Sequence, residues 1–346
     1  MPEAIFPELA DDASHPRSIA RIVYASRASI EGPVYAEMER IRASALRHNE
    51  PKGVSTALLH QSGWFVQWKE GPGDAVLELM ERVRCDRRHH AMRIVHASLG
   101  PRLLDGPWSM AIVQCGEDPA DMGERVERLR RDVLAGRRHS PPAVWRQLST
   151  PLSHPGYRSQ ADPDAFQRVL LCSAHGMASF AIVAYLAAGN GQQVVHRRFA
   201  GPRDLDVGTD YADIRCGDRV LRVIAMARRG LALPITRAFL PDYSHVLLLL
   251  SGDAVADIGL LRRVAGALAG LDPAPAVVGL GTSAAHQQAL VPLARELALD
   301  YEAVVVPGEG AAAAWSAAQP HLRRWREAAR HCRETLSLPL GQAMAD

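Results

Sequence analysis

The chain has 346 residues, 47% of them hydrophobic, 23% charged and 5% aromatic. That is globular composition with room for two domains, and it excludes a disordered or collagen-like chain. Forty basic and 38 acidic residues leave a net charge of +2, which gives no reason to expect nucleic acid as the main partner.

The longest apolar stretches, such as Val246 to Leu250, are strand-length, so no spanning helix and no membrane association is expected. The first residues lack a basic segment followed by an apolar core and do not read as a secretory signal. Five cysteines, at 85, 115, 172, 216 and 332, form no CxxC pair. An odd count without that spacing points to reduced thiols in a cytoplasm, with no disulfide framework and no metal site.

Residues 1–17 read as a lead-in. Residues 20–24 alternate as a strand. Val34 to His48 has helical spacing, with Val34, Met38, Ile41 and Leu46 on one face. Pro51-Lys52-Gly53 breaks that helix. Residues 54–59 and 64–68 read as strands around the turn Gln61-Ser62-Gly63. A helix follows over 74–84, then strands over 92–99 and 110–114. The order βαββαββ is that of a ferredoxin-like α+β unit, placed at 18–115. Helices over 124–134 and 142–147 lie in a capping segment, 116–150. Residues 151–165, rich in Pro, Ser, Gly and Asp, read as a linker.

From 166 to 335 short strands alternate with longer helices. Strands are expected at 169–172, 219–226, 246–250, 276–280 and 301–306. Helices are expected at 180–188, 257–271, 286–299 and through most of 310–332. This is the pattern of a doubly wound α/β domain. Residues 211–215 and 220–226 flank the turn Cys216-Gly217-Asp218-Arg219, so one strand is expected to be antiparallel.

Five N-terminal segments stand out together. They are Val23-Tyr24-Ala25-Ser26-Arg27-Ala28, His48-Asn49, Phe65-Val66-Gln67-Trp68-Lys69-Glu70-Gly71-Pro72, Asp86-Arg87-Arg88-His89 and Trp108-Ser109-Met110. Taken singly, each would be packing or a solvated helix end. In this order and spacing they resemble a BLUF domain, a blue-light sensor that binds FAD. The resemblance implies that Tyr24 donates an electron and a proton to photoexcited flavin. It implies that Gln67 lies between Tyr24 and the flavin, where a side-chain amide offers both donors and an acceptor. It also implies that Asn49 holds the flavin edge, that Arg88 and His89 lie at the far end of the pocket, and that Trp108 and Met110 relay the change outward on the last strand. The chain departs from the family at Thr56, in place of a glycine, at Lys69, in place of a leucine, and around Arg102-Leu103-Leu104 and Pro107.

The C-terminal half has the element order of a small GTPase and resembles that fold. Its chemistry is missing. A phosphate loop needs G-x-x-x-x-G-K-[ST]; the stretch here is Ser173-Ala174-His175-Gly176-Met177-Ala178-Ser179-Phe180. The metal-side aspartate falls at Ala225, and the base-reading motif reads Gly281-Thr282-Ser283-Ala284. Phe180 is expected to pack inward and close the pocket.

The sequence is thus read as a blue-light photoreceptor whose C-terminal pseudo-GTPase module signals to a protein partner and carries no catalytic residues. The alternative is a light-regulated enzyme whose C-terminal domain still binds a nucleotide. The open face of the N-terminal sheet needs a cover, which the helices at 118–148 or a second copy of the chain in a homo-oligomer would supply.

Overall fold

The computed structural model describes residues 19–113, 117–137, 139–150, 166–200, 206–217 and 219–322. The linker expected at 151–165 and the end of the helix expected to run to 332 lie outside the described residues. The N-terminal part is an α+β unit. It runs β1 (Ile19–Ala28), α1 (Val34–His48), β2 (Ser55–Gln61), β3 (Trp64–Gly71), α2 (Gly73–Arg84), β4 (His89–Gly100) and β5 (Trp108–Val113). Two helices follow, α3 (Pro119–Leu134) and α4 (Pro141–Leu148). Both begin where the sequence offers a cap: Asp118 accepts from the Ala120 amide and Ser140 from the Ala143 amide.

The C-terminal part runs β6 (Phe166–Ser173), α5 (Ala178–Gly189), β7 (Val195–Ala200), β8 (Asp206–Cys216), β9 (Arg219–Met226) and α6 (Pro234–Phe239). It continues with β10 (His245–Leu249), α7 (Ala254–Leu268), β11 (Ala276–Gly281), α8 (Ala284–Glu296), β12 (Tyr301–Val305) and α9 (Gly310–Leu322). Neither β7 nor α6 is expected from the sequence pattern.

All the strands join one sheet, in the order β12-β11-β10-β6-β9-β8-β7-β5-β2-β3-β1-β4. The α+β unit and the strands expected to form a doubly wound domain thus share one mixed sheet. The join is the antiparallel pairing of β5 with β7, Met110 opposite Ala200 and Val113 opposite Arg197. Its physical reason is that β5 and β8 would each leave a row of backbone donors and acceptors unpaired, and β7 pairs with both. The strands β9, β6, β10, β11 and β12 are mutually parallel, while β8 is antiparallel to β9.

One face of the whole sheet is buried in a single apolar core. It runs from Val23 and Trp68 under α3 and α4, through Trp145 and Phe239 at the join, to Leu260 and Leu290 under α7 and α8. On the opposite face α5 and α9 cover the C-terminal strands, and α1 and α2 cover the N-terminal ones. Among the described residues no helix is long and apolar enough to cross a membrane.

Candidate functional site

Strand alternation sends every second residue to the face beneath α1 and α2. Tyr24 and Gln67 are directly opposite each other in the β1–β3 ladder, and Gln67 is in turn opposite Leu58 on β2. Residues directly opposite in a ladder share a face, so Gln67 sits at the centre of the five N-terminal strands with Tyr24 beside it. The β1–β4 register slips between Val23 and Tyr24. This bulge re-aims the strand at Tyr24.

The apolar residues beneath the two helices fall into two separate clusters. One joins Ile22, Tyr24, Val76, Leu79 and Met80 under α2. The other joins Met38, Leu58, Phe65, Trp108 and Met110 under α1. Two polar residues of this part are also buried: Gln67, beside Tyr24 on that face, is 4% exposed and Asn49, at the end of α1, 5%. Asn49 caps α1; its amide donates to the Ala45 carbonyl, and its own carbonyl accepts from Lys52 and Val54. The backbone is thereby fixed while the side-chain amide stays free.

The face beneath α1 and α2 has buried polar atoms without partners. Tyr24 Oη, Ser26 Oγ and Trp108 Nε1 are enclosed and make no hydrogen bond. Neither Gln67 nor Asn49 makes a side-chain hydrogen bond among the described residues. Buried polar groups are normally satisfied, so several orphans on one face call for an explanation. A planar, mostly apolar ring system with donors and acceptors along one edge would lie between the two clusters and satisfy them. FAD fits this description.

The remaining expected residues are placed as follows. The His89 ring is 6.4 Å from the Tyr24 ring. Arg88 chelates the Asp86 carboxylate and approaches Glu37 at 3.8 Å, which ties the turn after α2 to α1. Trp108 and Met110 both face the cluster under α1. Burial, reinforced by the Asp86 carboxylate, raises the Tyr24 phenol well above its ordinary pKa, so it keeps its proton.

Two residues gain a role from the structure. Glu70, buried on β3, accepts from the Leu103 and Leu104 amides and from Trp68 Nε1. It fixes the loop that leads into Trp108. The run Trp68-Lys69-Glu70 gives no sign of that in sequence, because the two loop amides lie more than thirty residues away. Lys69 is enclosed on the same face as Gln67, with Thr56 Oγ1 3.5 Å away. Burial, with Arg82 adding to it, lowers its pKa from 10.5 to about 7. The unfolded chain therefore binds this proton more tightly, and stability should rise with pH from about 7 to 10.5. Melting curves between those limits should show the slope, up to about 1.4 kcal/mol per pH unit. Lys69→Met should lack it; an equal slope in that variant would remove Lys69 as the cause.

At the far end of the molecule, the stretch after β6 gives a different outcome from the one expected. Ser179 is fully buried, with its hydroxyl 3.5 Å from that of Ser173. Phe180 is only half-buried against the core under α5. The first turn of α5 directs its second residue, not its third, at the sheet. Nearby polar groups are engaged with one another. Asp257 accepts from the Ser251 and Gly252 amides and pairs with His286 at 2.8 Å, while Ser283 caps α8.

Comparison with known proteins agrees with the N-terminal geometry. Residues 19–111 match the family BLUF, described as sensors of blue-light using FAD. A 75-residue stretch is 39% identical to photoactivated adenylate cyclase subunit beta of Euglena gracilis, covering 21% of this chain and 9% of that protein. Subunit alpha of the same organism is 33% identical over 75 residues, 21% of this chain and 7% of the relative. The chain thus spans less than a tenth of the length of these curated relatives. Among solved structures, the dark state of the BLUF protein BlrB is 27% identical, covering 35% of this chain and 87% of that one, with a TM-score of 0.26.

Proposed function

We propose that this chain, whose residues 19–111 are a BLUF domain, is a blue-light receptor that passes its signal to a C-terminal module lacking GTPase chemistry. The observation that carries the sensor reading is the set of orphaned polar atoms, Tyr24 Oη first among them, between two apolar clusters on one sheet face. FAD, when bound, would supply the blue-light absorption and an electron-accepting ring. Tyr24, buried and protonated, can give up an electron and a proton. Gln67, opposite it in the ladder, can exchange donor for acceptor by turning its amide. Asn49, locked at its backbone, holds the polar edge of the ring in place. The N-terminal domain is assigned to residues 18–115, followed by capping helices to 150, a linker over 151–165 and the α/β module over 166–335. The site residues are Tyr24, Asn49, Gln67, Arg88 and His89, with Trp108 and Met110 on the output strand.

The output path supported by the pairing is β5 itself. It carries Trp108 and Met110 on the flavin side and forms backbone hydrogen bonds with β7 on its other edge. Arg198 on β7 lies over the Tyr35 ring of α1 at 5.1 Å. The pseudo-GTPase reading rests on the strand order β8-β9-β6-β10-β11-β12 with an antiparallel β8, and on the absence of lysine and metal ligands where phosphates would lie. Its role is to bind a protein partner.

The light-minus-dark absorption spectrum tests the sensor. Blue light should shift the flavin band to the red by roughly ten nanometres, reversing in the dark; an unchanged spectrum refutes it. Thermal unfolding with millimolar GTP or ATP, with and without Mg²⁺, tests the module and should show no magnesium-dependent change. A ligand at 100 times its Kd would add about 2.7 kcal/mol, so a magnesium-dependent rise in Tm would establish the alternative, a light-regulated enzyme.

A further inference from the structure

At the join of the two halves, α4 and α6 roof a small cavity over β6, β9, β8 and β7. Its volume is about 30 Å³, and its lining includes Trp145, Arg146, Arg168, Arg197, Phe239 and Tyr243. That is room for about two waters at 10–15 Å³ each, or for one small anionic group. It lies at the start of β6, at the opposite end of the strand from the Ser173–Ala178 stretch.

The charges around it do not balance. Arg222 forms a two-pronged pair with Asp213, at 2.7 and 2.8 Å, and both are buried. Arg146 and Arg168 share a single oxygen of Asp242, at 3.0 and 3.1 Å. Arg197 has no carboxylate partner among the described residues; its guanidinium lies over the Tyr211 ring at 4.2 Å, and Arg222 lies over the same ring at the same distance. Among the described residues, the three guanidiniums of the lining and that of Arg222, which lies outside the lining, therefore have two carboxylates between them.

Arg168 and Arg222 stand directly opposite each other on adjacent central strands. Like charges in that position repel, and burying them raises the cost. Their donors are not all used: Arg146 Nε, Arg168 Nε, and Nε and Nη2 of Arg197 are enclosed without a hydrogen bond. Arg168 is 4% exposed. Burial, with the neighbouring arginines adding to it, lowers its pKa to about 10. Packing alone gives no reason to gather three arginines around a cavity with a fourth on the neighbouring strand. A guanidinium fork is the group that matches an oxyanion.

The geometry assigns this cavity as an oxyanion site, taking the phosphate or carboxylate group of a small ligand on the free donors of Arg168 and Arg197. It is separate from the flavin seam. Two of its walls touch the sensor, since Trp145 and Phe239 both pack against the Trp68 ring, at 6.5 and 6.3 Å.

Thermal unfolding of the full chain with FAD bound tests the assignment, using inorganic phosphate, acetate and chloride at equal ionic strength. Phosphate should raise Tm by about 5 °C once it is about 100-fold above its Kd, and chloride should not. A rise with phosphate alone marks a phosphate site, and a rise with acetate as well marks a general oxyanion site. Arg197→Gln should weaken the response at least about tenfold while leaving the anion-free Tm no lower, since it removes a charge without a carboxylate. Arg197→Lys, which keeps the charge but loses the fork, should fall between. No rise beyond chloride, or an undiminished rise in Arg197→Gln and Arg197→Lys, would overturn the site.

Discussion

Gln67→Leu should retain FAD and lose the light-induced red shift altogether. The substitution is close in volume, and position 67 lies mid-sheet between Tyr24 and Leu58, so packing is nearly conserved. What disappears is the only side chain beside Tyr24 in the ladder that both donates and accepts. Tyr24 stays buried and protonated, and Asn49 keeps its place, so the ring should still be held. The effect is therefore all or none in the spectrum and small in cofactor content. A variant that binds FAD and still shifts its band by the wild-type amount would remove Gln67 from the mechanism. Loss of FAD would show instead that its amide is mainly a binding contact.

Asp213→Ala should destabilise the protein by about 3–5 kcal/mol, the range for removing one partner of a buried ion pair. Arg222 is fully enclosed, and beyond Asp213 its one other hydrogen bond among the described residues is to Thr150 Oγ1 at 3.1 Å. Without Asp213 it becomes a buried charge facing Arg168 across the ladder. Thermal unfolding should drop by roughly 10 °C, at about 2–4 °C for each kcal/mol. Replacing both partners, Asp213→Leu with Arg222→Leu, should recover most of the loss, because well-packed apolar residues often substitute for a buried pair without cost. If the single variant melts with the wild type, the pair carries no stability.

The sequence alone indicated most of the elements and the residues proposed for the sensor site. The helix over 34–48 follows from the spacing of Val34, Met38, Ile41 and Leu46, and the strands around Gly63 follow from local alternation and a turn residue. Both signals act over a few residues, so they are readable before folding is known. Tyr24, Asn49 and Gln67 could be proposed for another reason: side chains that meet one ring system at fixed distances would leave a fixed interval pattern in the chain. Tertiary structure alone decided how the halves join. The segment Val195-His196-Arg197-Arg198-Phe199 has no clean alternation of apolar and polar residues, because one of its faces lines a charged cavity and the other meets Tyr35. Its strand character comes from two partner edges, β5 and β8, one of them some eighty residues earlier. The arginine cavity was hidden for the same reason. Arg146, Arg168, Arg197 and Arg222 are scattered over almost eighty positions, each unremarkable in its own segment. They become a site only where ladder register places β6, β9, β8 and β7 side by side, because hydrogen-bonded pairing between distant strands, and not local propensity, fixes which side chains share a face.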